Sequence, residues 1–185
     1  MGARAAVAGV VALGALLLAS ACTTGPYRVD ALAKVQGWRD DGSSTASPVA
    51  VIEIAPDRQT AEAMWNDTVP TDLPTTDAVP HDPGVYGDLD DVDFDHQVVV
   101  LISSGESSSC PMWISTIATG DDDTIAARTQ RSGNTCTADF SYYREIVAVD
   151  RDALPPTDEL ADATVTVDGG WSAAAQGARL YEPST

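Results

Sequence analysis

Residues Gln97 to Asp150 read QVVVLISSGESSSCPMWISTIATGDDDTIAARTQRSGNTCTADFSYYREIVAVD, and the fold turns on how this stretch is parsed. It opens with three valines, a leucine and an isoleucine. An apolar run of that length up to Ser103 predicts a central strand buried on both faces. Gly105 to Ser109 predicts its turn, and Met112 to Thr119 the partner strand, with Trp113 as a core aromatic. Gly120 to Asp123 then reads as a charged hairpin turn and Thr124 to Thr129 as the returning strand. Ser132 to Asn134 turns the chain toward Cys136, and Tyr142 and Tyr143 lead into a last strand, Arg144 to Asp150.

Upstream, Val49 to Ala55 is a β-branched run between prolines and reads as a buried strand. Pro56 ends it, and Asp57 can cap a helix running to about Val69, with Ala61, Met64, Trp65 and Thr68 on one face. Pro70 stops that helix. From there to Gly87 the chain is a proline-studded loop. Tyr27 to Trp38 permits a short helix or a strand. Downstream, Leu154 to Leu160 is an excursion, Thr164 to Asp168 a strand, Gly169 and Gly170 a turn, and Arg179 to Tyr181 a weak strand. The pattern predicts an α+β fold, mainly an antiparallel sheet (a meander, or a small sandwich or barrel), with one packed helix after the first strand.

The N-terminus predicts an address. Arg4 precedes an unbroken apolar run from Ala5 to Ala19, the layout of an exported signal sequence and too short for a comfortable membrane span. Leu18, Ala19, Ser20 and Ala21 before Cys22 resemble the lipobox of bacterial lipoproteins, although the leucine stands one place further from the cysteine than usual. That resemblance implies lipidation of Cys22. The other reading is an ordinary secretory signal cut nearby. With Cys22 acylated, the chain divides into a signal peptide (1–21), a lipid anchor and tether (22–47) and one globular domain (48–185). The expected location is the extracytoplasmic face of the cell membrane. Of three cysteines, Cys110 and Cys136 then remain, an even pair in an oxidising compartment and predicted to be bridged.

Composition narrows the partners. Against 10 basic residues stand 28 acidic ones, a formal charge of -18, and a surface so acidic repels phosphate backbones and anionic lipid headgroups. Nucleic acid is disfavoured as a partner, and acyl chains must carry the anchoring. No Walker-type or dinucleotide glycine pattern occurs, and no cofactor is expected.

Three stretches could carry chemistry. Asp88, Asp90, Asp91, Asp93 and Asp95 invite a divalent cation, but His96 and Ile102 stand where an EF-hand loop needs glycine and glutamate. Alternation with Leu89, Val92 and Phe94 also fits a solvated lead-in to the strand. Ser107, Ser108 and Ser109 follow Gly105 as a nucleophile elbow would, yet G-x-S-x-G requires glycine at Ser109. His81 and His96 are the available bases or zinc ligands. Glu53 and Glu145 are strand carboxylates with no evident carboxylate partner.

The order from Asp93 and Phe94 through Val98 to Leu101, Gly105 and Tyr143 is similar to small actinobacterial lipoproteins of unknown function. It distantly resembles the C-terminal domain of the PrcB family of protease-complex subunits, with Ser107 to Cys110 replacing the family's glycine-rich turn and Tyr142 its proline. The resemblance implies a β-rich, non-catalytic module and transfers no active site. The expected function is a binding or accessory module of the cell envelope, engaging the membrane through Cys22 and an envelope protein. The alternatives are an envelope hydrolase using Ser107 to Ser109, or a cation binder using Asp88 to Asp95.

Overall fold

The computed structural model describes residues 27–37, 51–120, 124–160, 163–168 and 177–183. Expectations for the leader, Cys22, Trp38, the Gly169 and Gly170 turn and Trp171 lie outside these residues.

In chain order, the strands before the helix are β1 (Tyr27–Arg28), β2 (Asp30–Gln36) and β3 (Val51–Ala55). Helix α1 (Arg58–Thr68) follows, its first turn capped by Asp57, whose Oδ1 accepts the Thr60 N–H at 2.8 Å. After it come β4 (Gly84–Val85), β5 (Gln97–Glu106), β6 (Met112–Thr119), β7 (Thr124–Arg131), β8 (Ser141–Asp150), β9 (Thr164–Asp168) and β10 (Ala178–Leu180). Six strands form one sheet in the order β10-β3-β5-β8-β2-β4, and four form another in the order β1-β6-β7-β9. Pairing is antiparallel except for β10 on β3 and β9 on β7.

Alternation on β5 explains the layering. Val98, Val100 and Ile102 enter a core shared by the two sheets, with Ile114, Ile117, Ile125, Val147 and Val165. Val99 and Leu101 point the other way, into a second core with Met64 and Ala61 of α1, Leu32, Val35, Ile146, Leu89 and Val92. The molecule is therefore sheet on sheet, with the helix and its following loop on the outer face of the larger sheet. Each fully buried valine, leucine or isoleucine contributes about 1.5–3 kcal/mol, so the doubly buried β5 is the most strongly held element.

The α+β class, the antiparallel sheets, the capped helix and most strands agree with expectation. Four details differ. β6 is not the partner of β5: both edges of β5 are taken by the more apolar β3 and β8, and the chain crosses after Ser107 to start the second sheet. β5 runs on to Glu106, which places that carboxylate inside the sheet and not in the turn. Leu89–Asp91 is a single 3-10 turn and not a strand lead-in, although Leu89 and Val92 are buried as their spacing suggested. Residues 27–36, assigned to the tether, form β1 and β2, and β2 sits between β8 and β4 well inside the larger sheet. The β2 pattern was obscured by a register shift between Ala31 and Ala33, which breaks period-2 alternation.

Candidate functional site

The core between the sheets is apolar along most of its length and changes character at one end. On β8 the residue preceding Val147 and Val149 on the same face is Glu145, and on β5 the face of Val98, Val100 and Ile102 continues into Ser104 and Glu106. Directly across from Glu145 on β2 is Lys34. Lys34 and Glu145 are 0 % exposed, and Glu106 is 5 % exposed. Three ionisable side chains thus close one end of a sandwich core.

Their hydrogen bonds explain how the fold tolerates them. Lys34 Nζ donates to Glu106 Oε2 at 2.8 Å, to the His81 carbonyl at 2.8 Å and to the Met112 carbonyl at 2.6 Å, which occupies all three ammonium protons. The Tyr143 ring lies 4.6 Å from the same nitrogen. Glu106 Oε2 also accepts the Met112 N–H at 2.6 Å, and Glu145 Oε2 accepts the Ile114 N–H at 2.9 Å. The start of β6 therefore docks on the larger sheet through two buried carboxylates. Glu145 Oε1 has no hydrogen-bond partner.

Burial pushes the Glu145 carboxyl up from 4.5 to about 8, and the Glu106 charge adds to the rise while the Ile114 N–H and Lys34 oppose it. At neutral pH Glu145 is held as the acid beside the Lys34–Glu106 pair. Burial likewise raises the Tyr143 phenol, and pushes the Tyr86 phenol at the rim up to about 12. The Pro70 to Gly87 loop, which the sequence left unassigned, supplies the His81 carbonyl to Lys34 and sets the His81 ring 6.2 Å from that of Trp113. Trp113 is half-buried against this loop and not a core aromatic.

The predicted site residues lie elsewhere. Cys110 and Cys136 are bridged, with Cα atoms 5.5 Å apart. Gly133, at φ 119°, makes the turn that delivers Cys136, a conformation few other residues adopt. Beside the bridge, the Ser107, Ser108 and Ser109 hydroxyls are engaged with Thr137, Asp139 and one another. Donation from Ser108 and then Thr137 holds the Asp139 carboxyl well below its usual range. These hydroxyls fasten the turn to the segment after Cys136. His81 pairs with Asp82 and His96 with Asp93.

Members of the acidic stretch are engaged with one another, with His96 and with Arg58 of α1. Asp88 caps the 3-10 turn at Asp90 N–H, Asp90 pairs with Arg58 at 2.8 Å, and Asp93 accepts from Asp95 N–H and His96. Among the described residues no three histidine, cysteine or acidic side chains gather so as to hold a metal ion. Glu53 pairs with Arg179 at 2.8 Å. Glu145, by contrast, shares its buried site with the second carboxylate of Glu106.

Sequence reading missed Lys34 and Glu106, and left Glu145 as a strand carboxylate without a carboxylate partner, because a charged residue is by default a surface residue. The signal that could have found them is local: Lys34 stands in ALAKV and Glu145 in EIVAV, where alternation puts the acid on the face of Val147 and Val149.

Fold and site together define a two-sheet α+β protein with an ion-paired plug at one end of its core. Scans against protein-family models, curated proteins and solved structures returned no match.

Proposed function

We propose that the protein is an exported, lipid-anchored module of the cell envelope that acts by binding, as an accessory to other envelope components. The observation that carries this reading is the Cys110–Cys136 bridge, which suits an oxidising compartment and leaves Cys22 as the odd cysteine for acylation. Two further features support it. The serines that could have served a hydrolase are committed to Thr137 and Asp139, and the Lys34, Glu106 and Glu145 trio is buried out of reach of a soluble substrate in this conformation. The acidic surface favours a protein partner over nucleic acid.

Crosslinking on intact membranes followed by purification of the full chain, run beside a serine-reactive probe on the purified protein, tests the reading. A stable stoichiometric partner and an unreactive protein are expected. Stoichiometric labelling of Ser107, Ser108 or Ser109 would replace the binding module with a hydrolase.

A further inference from the structure

Salt bridges are ordinarily reversible, but the pair at the plugged end of this sandwich is placed for a different outcome. Lys34 Nζ is 2.8 Å from Glu106 Oε2, and the two residues sit on strands separated in the sheet by β8. Both side chains are buried to within 6 % of completely. Neither end is free to drift, so amine and carboxyl are held in hydrogen-bond contact, one bond short of the atom to be attacked, and such fixed juxtaposition gives high effective molarities. We propose that Lys34 and Glu106 form a modification site at which Nζ and Cδ condense to an intramolecular amide, with Glu145 moving the protons.

The surrounding groups match the needs of that step. Glu145, held as the acid, passes its proton to Glu106 Oε1 and takes one from Nζ in return, giving an amine and an acid with Oε2 left unprotonated. The amine attacks Cδ, and charge develops on Oε2, which already accepts the Met112 N–H at 2.6 Å and would be stabilised there as in an oxyanion hole. The Cδ–Oε1 bond then breaks. Oε1 departs as water, carrying the carboxyl proton and one supplied by Glu145, and Glu145 recovers a proton from the nitrogen. Ammonium and carboxylate become one amide and one water, with no oxidant, reductant or cofactor. Glu145 suits the relay because its Oε1 is buried and unpartnered and it stands directly across the strand pair from Lys34. Release of the water to bulk solvent leaves a dry site in which hydrolysis lacks its reactant. Oε2 keeps the Met112 N–H, and the remaining amide N–H keeps one of the two carbonyls that now hold the ammonium.

The test is mass spectrometry of the full chain, isolated from cells, held at neutral pH, then reduced and denatured. The expected result is a branched tryptic peptide joining the Lys34 segment to the Glu106 segment, lighter by one water than the two separate peptides together. Lys34→Arg is expected to give no branched peptide. Glu145→Gln, which keeps the shape of the side chain and removes the exchangeable proton, is expected to remain folded and uncondensed. Separate, unmodified Lys34 and Glu106 peptides from the wild-type chain would overturn the proposal. Unimpaired condensation in Glu145→Gln would remove Glu145 from it.

Discussion

Glu145 is a residue whose behaviour depends strongly on being folded. Its carboxyl titrates near 4.5 in an unfolded chain and near 8 in the core, because burial penalises the anion. Between those values the folded protein holds a proton that the unfolded chain has released. The stability that this proton contributes is complete below about pH 4.5 and is lost as pH rises toward about 8, with a limiting slope of about 1.4 kcal/mol per pH unit. Urea denaturation of wild type and Glu145→Gln across that window should show the slope shrinking in the variant. Equal slopes would place the proton elsewhere. His96, raised by its hydrogen bond to the Asp93 carboxylate, titrates with the same sign in both proteins and cancels from the difference. The direction holds whether or not Lys34 and Glu106 are joined, since burial is the leading cause in either state.

Lys34 poses the complementary case. Lys34→Met leaves the Glu106 carboxylate buried without its cation and should destabilise by roughly 3–5 kcal/mol in denaturant titrations. Adding Glu106→Leu should recover much of the loss, because a buried ion pair replaced whole by apolar groups costs little. A Lys34→Met protein of wild-type stability would mean that the trio is not the plug described.

Among the elements, β5 was legible from its composition, because an apolar run of that length has few alternatives to a doubly buried strand. Helix α1 was legible from Asp57 and the spacing of Ala61, Met64 and Thr68. Which strands neighbour β5 was not legible, since pairing depends on competition between strands far apart in sequence. Lys34 and Glu106, 72 residues apart, illustrate the same limit at the site.

Gly105 on β5 shows a local constraint with a nonlocal cause. A Cβ at this position would come within 1.8 Å of the Phe140 ring, which stacks edge-on against Tyr142, the residue across the strand pair from Gly105. Gly105→Ala is expected to destabilise by about 1–3 kcal/mol, and Phe140→Ala in the same chain to relieve part of it. No change on the first substitution would show that the ring moves aside freely. The Cys110–Cys136 bridge closes a separation of 26 residues, for which chain entropy gives roughly 3–4 kcal/mol. Cys136→Ser should lower the denaturation midpoint accordingly. It should also speed amide exchange in the Ser107 to Cys110 turn, where Ser107 accepts the Cys110 N–H at 3.0 Å. Exchange raised uniformly over β5 and β8 instead would assign the bridge to the global core.

At the scale of the molecule, both cores, the bridge and the buried trio describe a rigid body whose interior chemistry is committed to itself. The proposed binding role rests on its surface and on where it is held. The N-terminal run and Cys22 carry the proposal that it is held at the outer face of a membrane. Fatty-acid labelling of cells expressing the full chain or its Cys22→Ser variant, with each protein followed into membrane and soluble fractions, tests this most directly. The account predicts acylated wild-type protein in the membrane fraction, and unlabelled Cys22→Ser protein released from it. A Cys22→Ser chain that remained acylated and membrane-bound would contradict it.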